Sequence, residues 1–311
     1  MHMFDWDVIV VGGGPAGLTA GLYLCRAGQR VIVLEKGNLG GQIKNIERIE
    51  NYPGFSDGVS GAQLASEMIS QASKHGVKFE IAEVTGIESF SSCRSVSCAD
   101  GKGYTSSVVI ITGGCRPKKL GVPGEERLRG KGVFNCALCD GGEFVNRNVA
   151  VCGGGDAGVT EALYMANLAS KVILIEALPH LTAAEILQKR VFANSKVEVR
   201  CGARVGAILG ESKVEAIELV QNRDEGRDIL QVDGVLVYVG IEPNTTYLEG
   251  TLPLNSAQQI VVNDQMETEI PYLLAAGDIR CGSPRQIVTA VGDGAAAALS
   301  AMKLLREMSS L

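Results

Sequence analysis

Two cysteines separated by two residues form the most chemically capable feature of the sequence. Cys136 and Cys139 stand in the run Cys-Ala-Leu-Cys-Asp, so that Asp140 follows the second cysteine directly. Two thiols at this spacing can form a reversible disulfide when one has a lowered pKa and an acid–base group is close by. Because the chain has only three histidines, Asp140 is the best candidate for the proton donor and acceptor.

The same spacing also fits half of a zinc site. Nine cysteines in 311 residues give about 0.3 such pairs by chance, so the spacing alone decides little. A structural zinc site needs four ligands, and the other closely spaced pair, Cys93 and Cys98, fits a half-site only loosely. We therefore expect a redox pair and no metal site.

A glycine motif occurs twice. Each copy follows a short apolar strand, residues 7–11 or 148–151, and precedes a helix. The G-x-G-x-x-G glycines are Gly12, Gly14 and Gly17 in the first copy and Gly153, Gly155 and Gly158 in the second. In each copy a further strand ends on a glutamate, Glu35 or Glu176, that stands 23 positions after the first glycine.

This arrangement is typical of dinucleotide sites. The glycines bring a pyrophosphate to a helix N-terminus, and the acidic residue about 20 positions on binds a ribose hydroxyl. Two copies predict two sites, which suggests a flavin that exchanges electrons with a second ligand. The alternative for either copy is a glycine-rich turn in an α/β domain that binds no nucleotide.

The remaining segments predict how the two sites share one chain. Arg116-Pro117 and Glu242-Pro243-Asn244 read as crossovers, and an apolar strand over 272–279 and a helix over 287–307 follow. We expect an α/β fold of two Rossmann-like, three-layer domains, the second inserted in the first. The first would comprise residues 1–117 and 245–311, and the second, which carries the cysteine pair, residues 118–244.

Composition narrows the classes of function. The net charge of −6 predicts no basic surface for nucleic acid or an anionic membrane. No run approaches the roughly 18 apolar residues of a membrane span. The N-terminus lacks a basic region followed by a long apolar run, so a cytoplasmic protein is expected.

Six segments carry a family resemblance. They are VGGGPAG at 11–17, GGQ at 40–42, ENYPGF at 50–55, CALCDG at 136–141, AAGDI at 275–279 and RQIVTAVGDG at 285–294. With them the whole chain resembles the low-molecular-weight thioredoxin reductases, the two-domain FAD disulfide reductases. The larger lipoamide- and glutathione-type reductases carry their cysteine pair near the first glycine motif and add a dimerisation domain, and this chain has neither.

The resemblance implies a role for each matching position. The FAD pyrophosphate would lie on Gly12, Gly14, Pro15, Ala16 and Gly17, the adenosine ribose on Glu35, and the flavin along Gly41, Gln42 and Asn51. Gly277 and Asp278 would lie near the ribityl chain, and Arg285, Gln286 and Ile287 at the isoalloxazine. Cys139 would face the flavin and attack its C4a atom, Cys136 would exchange with a thioredoxin-like protein, and Asp140 would relay protons. A homodimer is implied, with an inserted domain that rotates about the two crossovers.

One segment departs from the family pattern. NADPH-dependent members place a His-Arg-Arg cluster and a further arginine at the end of the strand that Glu176 closes here. Residues 175–182 read IEALPHLT instead, and the next arginine is Arg190. A glutamate facing a 2′-phosphate is like-charge repulsion, so NADPH is disfavoured.

Two electron donors are left open. They are NADH, bound by Gly153, Gly155, Gly158 and Glu176, and reduced ferredoxin as a protein partner. The retained glycines favour NADH. Two other functions also stay open, an FAD-dependent dithiol oxidase that forms disulfides with oxygen as acceptor, and a non-enzymatic nucleotide-binding protein with an inert or zinc-loaded cysteine pair.

Overall fold

The strands of the described residues form four sheets, of seven, five, three and two strands. The computed structural model describes residues 4–91, 93–221 and 226–309. Within them the strands are β1 Trp6–Val11, β2 Val31–Glu35, β3 Lys78–Ile81, β4 Val84–Ser89, β5 Arg94–Cys98, β6 Gly103–Ile111, β7 Cys115–Pro117, β8 Val133–Phe134, β9 Asn148–Cys152, β10 Lys171–Glu176, β11 Val197–Cys201, β12 Ala203–Leu209, β13 Ala216–Gln221, β14 Arg227–Gln231, β15 Gly234–Val237, β16 Ile241–Pro243 and β17 Leu273–Ala275.

Helices fill most of the connections between parallel strands. They are α1 Pro15–Arg26, α2 Gly61–Lys74, α3 Ala137–Asp140, α4 Asp156–Leu168, α5 Glu185–Ala193 and α6 Ile287–Ser309. Short 3₁₀ turns cover Gly41–Asn45, Gly141–Phe144 and Thr246–Leu248. Both helices predicted after the glycine motifs are present, as α1 and α4.

The chain divides into two compact units. It leaves the first unit between Arg116 and Pro117 and returns to it between Ile241 and Glu242. The crossovers expected from the sequence, after residues 117 and 244, fall close to these points. The two segments pair with each other as a ribbon of β7 and β16, which no sequence pattern predicted.

The first unit contains a seven-stranded sheet in the order β3-β2-β1-β6-β5-β4, in which β17 pairs with the second half of β6. Strands β1, β2, β3, β6 and β17 are parallel, whereas β5 pairs antiparallel with both β6 and β4. Carboxyl ends of parallel strands lie at one edge of a sheet, where open α/β sheets bind ligands. This topology brings Gly12, Glu35 and Gly277 to the same edge.

The predicted strand over 272–279 is shorter than expected. β17 covers three residues, because the chain turns after Ala276 and the Gly277 N–H donates to the carboxylate of Asp293 at 3.1 Å. This turn places Asp278 beyond the sheet edge.

The second unit contains a five-stranded, fully parallel sheet in the order β11-β10-β9-β15-β8. A separate antiparallel sheet of β12, β13 and β14 covers one of its faces through a shared apolar core, and α4 packs on the other through a second core. The carboxyl edge carries Gly153, Glu176 and Tyr238, so each unit repeats the same site architecture.

A long apolar helix, α6, closes the described chain. By length and composition alone its span Ile287–Met308 could cross a membrane, where the sequence reasoning expected no such segment. Its Ala297, Ala298 and Ala301 are fully buried in the core that α1 and the first sheet share. One face of α6 thus packs on the first unit, while Val288 and Leu299 of the same helix are exposed.

One buried ion pair supports the loop after β17, and its loss predicts a large drop in stability. Arg280 donates to both carboxylate oxygens of Asp293, at 2.6 Å from Nε and 2.8 Å from Nη2, and their side chains are 15% and 9% exposed. Asp293→Ala leaves the guanidinium uncompensated, which costs about 3–5 kcal/mol of unfolding free energy. Urea denaturation measures the loss.

The control is an exposed pair. Glu185 and Lys189 are 82% and 74% exposed, and Glu185→Ala is expected to change the unfolding free energy by less than about 1 kcal/mol. An Asp293→Ala variant as stable as Glu185→Ala would contradict the role given to the buried pair.

Candidate functional site

The two cysteines of the CxxC motif are joined as a disulfide, with their Cα atoms 5.3 Å apart. Cys136 is the N-cap of the four-residue helix α3, and Cys139 lies within it. The Cys139 N–H donates to Cys136 Sγ at 3.1 Å. An N–H directed at sulfur stabilises a thiolate on that atom. Cys136 is half-buried, while Cys139 and Asp140 are exposed.

Buried apolar groups hold this short helix in place. Phe134 and Phe144, on either side of it, stack with their ring centroids 4.6 Å apart. Ala137 is fully buried. Gly141 leaves room for α4, since a Cβ there would lie 3.1 Å from Met165 Sδ. The reactive turn therefore rests on the core of the second unit rather than on a mobile loop.

In the first unit the glycine motif is built around close backbone contacts. Gly12 has a φ of +113°, and a Cβ there would lie 2.4 Å from the Thr112 carbonyl oxygen. A Cβ on Gly17 would lie 1.9 Å from the Gly12 oxygen. Gly12 thus permits the turn and Gly17 the contact of α1 with it.

Gly14 differs from its neighbours because the space beside it is open. A Cβ there would have no heavy atom of the described residues within 4 Å beyond its chain neighbours. Gly14 is also the N-cap of α1, and no side chain in the described part of the chain caps this helix. By contrast, Ser60 caps α2 by accepting from the Gln63 N–H. Uncapped N–H groups beside open space suit a pyrophosphate.

Glu35 closes β2 at the same edge. Its Oε2 accepts from the Gly13 N–H at 2.7 Å and its Oε1 from the Gly37 N–H at 2.8 Å. The carboxylate is therefore fixed beside the glycine turn and keeps lone pairs for a hydroxyl group. This is the arrangement expected of a ribose ligand.

Several distant positions meet around this turn. A Cβ on Gly41 would lie 3.1 Å from Gly14 Cα, and one on Gly277 would lie 3.0 Å from the Cβ of Ala16, the residue after Pro15. The sequence placed all five at an FAD site. The described residues of the first unit fit that cofactor at its pyrophosphate and ribose.

The positions expected along the flavin also approach one another. Asn51 Nδ2 donates to Gln286 Oε1 at 3.0 Å, across 235 positions of sequence. Ile287, the first residue of α6, packs against the apolar cluster that contains Ile43, and Arg285, two residues before it, has a φ of +59°. Gln42 is exposed, and the structure gives it no side-chain contact with the others.

Asp278 has an electrostatic environment of its own. Burial raises the pKa of its carboxyl, and the hydrogen bond from Ser283 Oγ, at 3.2 Å, and the charge of Arg285 oppose this shift. Cys115 Sγ donates to the Asp278 carbonyl oxygen at 3.2 Å. Burial raises the pKa of the Cys115 thiol to about 12, so this neighbouring thiol stays protonated.

The second unit repeats the glycine turn. Gly153 has a φ of +120°, and a Cβ there would lie 2.1 Å from the Tyr238 carbonyl oxygen. A Cβ on Gly158 would lie 2.0 Å from the Gly153 oxygen. Gly155 is again an N-cap without a side-chain cap among the described residues. The carboxylate of Asp156 is engaged elsewhere, because its Oδ1 accepts from the Ala184 N–H at 2.6 Å.

Glu176 accepts the same two backbone hydrogen bonds in the second unit that Glu35 accepts in the first. Its Oε2 accepts from the Gly154 N–H at 2.5 Å and its Oε1 from the Leu178 N–H at 2.8 Å. Residues 172–188 contain no lysine or arginine. The end of β10 therefore presents a fixed carboxylate without a cationic neighbour in that segment.

The other cysteines divide by environment. Cys115 and Cys152 are buried, and burial raises the pKa of Cys152 to about 12. Cys25 is half-buried rather than fully packed, and burial raises its pKa as well. Cys281 is exposed and accepts from Asn255 Nδ2 at 3.4 Å, a partner that sequence reasoning did not identify.

Sequence reasoning missed two supporting groups. One is the Arg280–Asp293 pair, which holds the turn at Gly277. Asp293 lies in a motif that the sequence analysis named, but no role was predicted for it. The other is Tyr238, whose hydroxyl donates to the Asn135 carbonyl oxygen beside the disulfide. Neither belongs to a spacing pattern, since each contact joins residues from different elements.

Two Rossmann-like units with a cysteine pair on the second define an oxidoreductase of the disulfide-reducing class. Residues 6–294 match the model of the pyridine nucleotide-disulphide oxidoreductases, and the chain belongs to this family. It is 40% identical to thioredoxin reductases of Listeria innocua, over 97% of this chain and 95% of that protein, and of Bacillus subtilis, over 97% and 96%.

Solved structures agree with these relatives. The fold matches a crystal structure of Lactococcus lactis thioredoxin reductase with a TM-score of 0.95 and 35% identity, over 97% of this chain and 100% of that one. It also matches T. acidophilum thioredoxin reductase with a TM-score of 0.92 and 32% identity, over 98% and 99%. The family resemblance and the α/β fold predicted from the sequence are thereby confirmed. The protein is a thioredoxin reductase-type oxidoreductase.

Proposed function

We propose that this protein passes electrons from NADH, through FAD and the Cys136–Cys139 disulfide, to the disulfide of a thioredoxin-like protein. The observation that supports NADH as the electron donor is that Glu35 and Glu176 accept the same pair of hydrogen bonds. Each carboxylate accepts one from an N–H of its glycine turn and one from the N–H of the residue two positions after the glutamate itself. A second unit that had lost its nucleotide would have no need of this duplicate.

The cofactor is FAD in the first unit. When bound, FAD would supply two-electron transfer between a nicotinamide and a disulfide. Gly14 and the uncapped N–H groups of α1 would hold its pyrophosphate, and Glu35 would accept from its ribose. In the second unit Gly155 and Glu176 would do the same for NADH.

The cysteines carry the exchange chemistry. The Cys136 thiolate attacks one sulfur of the substrate disulfide, forming a mixed disulfide and releasing one substrate thiolate. Cys139 then attacks the Cys136 sulfur, which restores the intramolecular disulfide and releases the second thiolate. Asp140 is the proton relay for these thiolates, as an exposed carboxylate directly after Cys139.

The choice between NADH, NADPH and ferredoxin is tested by supplying each of them as the electron donor. The measurement follows the flavin absorbance of the anaerobic holoenzyme. NADH, NADPH and reduced ferredoxin are supplied separately. Rapid bleaching by NADH is expected, with NADPH at least about tenfold slower at equal concentration because Glu176 repels the 2′-phosphate. Bleaching by ferredoxin alone would overturn the assignment of NADH.

Glu176→Gln provides the matched variant. It keeps the length of the side chain and one acceptor oxygen but removes the charge, so the preference for NADH over NADPH is expected to shrink while reduction by NADH persists. Unchanged discrimination would mean that another group excludes NADPH.

The reductase and oxidase readings differ in their acceptor. A reductase reduces thioredoxin catalytically with NADH. Oxygen consumption with a small dithiol, and no thioredoxin turnover, would instead identify the dithiol oxidase. A homodimer remains a prediction of the resemblance, and a cytoplasmic location a prediction from the N-terminal sequence; sedimentation of the holoenzyme measures the oligomeric state.

A further inference from the structure

A chain of contacts connects the redox disulfide with the glycine turn of the second unit. Tyr238 follows β15, and its N–H donates to the Cys152 carbonyl oxygen at 2.8 Å, directly before Gly153. Its hydroxyl donates to the Asn135 carbonyl oxygen at 3.2 Å, directly before Cys136. One residue thus contacts the strand end before the glycine turn and the peptide before the disulfide.

The half-buried side chain of Tyr238 lies against a carboxyl group. Glu161 on α4 is 8% exposed and interacts with the phenol, and burial together with this carboxyl raises the Tyr238 pKa well above its ordinary value. The phenol therefore keeps its proton at neutral pH and remains a hydrogen-bond donor, and this single proton is shared between the Asn135 carbonyl oxygen and the Glu161 carboxylate.

Asn135 is held through its side chain as well. Its Nδ2 donates to the Val237 carbonyl oxygen at 3.1 Å, and its Oδ1 accepts from Arg129 Nη1 at 3.3 Å. The backbone between Asn135 and Cys136 is thereby fixed, and this backbone directs Cys136 Sγ towards the Cys139 N–H.

We propose that Tyr238 is a positioning residue for disulfide exchange, and that its hydroxyl fixes the Asn135–Cys136 peptide so that the reduced Cys136 sulfur stays on the Cys139 N–H. The proposal rests on the proposed function in one respect, the use of Cys136 as the exchanging thiol. A hydrogen bond to a thiolate favours the charged form, so its geometry sets how much reactive thiolate exists near neutral pH.

Other charged groups surround the pair and must be kept constant. On the cysteine turn and the 3₁₀ turn after it they are Asp140 and Glu143; Arg129 approaches through Asn135, and α4 contributes Glu161 and Tyr164. Tyr238→Phe replaces none of these side chains and retains the ring, which leaves the apolar packing in place; it changes the surroundings of Glu161, which the Glu161→Gln variant controls for.

The test measures the reactivity of Cys136 rather than turnover. The reduced holoenzyme is alkylated with iodoacetamide from acidic to alkaline pH, and Cys136 labelling is quantified by mass spectrometry. Tyr238→Phe is expected to raise the apparent pKa of Cys136 and to slow its alkylation at neutral pH by about three- to tenfold, the effect of losing one hydrogen bond.

Two further variants make the result specific. Glu161→Gln removes charge but can donate to the phenol oxygen, so its profile is expected to stay within about twofold of the wild type. Tyr23→Phe removes the same atom from an exposed residue of the first unit and is expected to change nothing.

The outcomes distinguish this proposal from the proposed function. An unchanged Cys136 profile in Tyr238→Phe would overturn the positioning role, as would an equal shift in Glu161→Gln, which would make charge the cause. Wild-type protein that fails to reduce thioredoxin would contradict the function alone, since the alkylation profile requires neither donor nor substrate.

Discussion

Replacing Cys139 by serine is expected to abolish disulfide reduction while the purified protein remains yellow. The variant cannot resolve the mixed disulfide or accept electrons as a disulfide, so turnover should fall by more than about a thousandfold, as for other removed nucleophiles. The flavin content should not change, because the expected FAD ligands lie in the first unit. Thioredoxin-dependent turnover and flavin absorbance are measured on the same preparation.

The matched control is Cys281→Ser. Cys281 is an exposed free thiol, and its replacement is expected to leave turnover and flavin content as in the wild type. Full turnover in Cys139→Ser would remove the pair from the mechanism. Cys136→Ser should lose turnover equally, but it should also lose the ability to trap thioredoxin as a mixed disulfide, which Cys139→Ser retains.

Adding one methyl group at Gly14 is expected to weaken FAD binding without harming the fold. The position beside Gly14 is open in the first unit, so Gly14→Ala meets no protein atom there. The methyl group would occupy the space assigned to the pyrophosphate, and overpacking of this kind costs about 1–3 kcal/mol, or roughly ten- to a hundredfold in FAD affinity. Flavin titration and circular dichroism measure the two effects separately.

Two variants complete this experiment. Gly86 also has open space beside it but lies in β4, away from the carboxyl edge, so Gly86→Ala is expected to bind FAD normally. Gly155→Ala tests the second unit, where a Cβ would lie an ordinary 3.6 Å from Thr182 Oγ1. It should keep FAD and lose rapid reduction by NADH. Normal FAD binding by Gly14→Ala would mean that the pyrophosphate lies elsewhere.

Much of the fold follows from local sequence. Apolar strands, glycine turns and the helices α1 and α4 were predictable because each rests on neighbouring residues and regular spacing. The strand at 272–279 was overestimated, because apolar residues continue past the point where Gly277 turns towards Asp293. From the sequence, α6 was not singled out as long and apolar enough to span a membrane, although its length and composition allow this.

The candidate site was predictable in its parts rather than in its geometry. Positions that match a motif, such as Gly14, Glu35 and Cys136, could be named from the sequence and its resemblance. The contacts of Glu35 and Glu176 with backbone N–H groups could not, because a glutamate at the end of a strand can point to solvent or to the turn. Their duplication became visible only when both units were folded.

The sequence by itself determined the class of this protein, its two glycine turns and its reactive pair, because these depend on residue type and short spacing. The tertiary structure alone decided which groups support them: Asp293 under Gly277, Asn51 beside Gln286, and Tyr238 between the glycine turn and the disulfide. Such pairs join residues far apart in the chain. Their geometry depends on strand order and packing, which no local pattern contains.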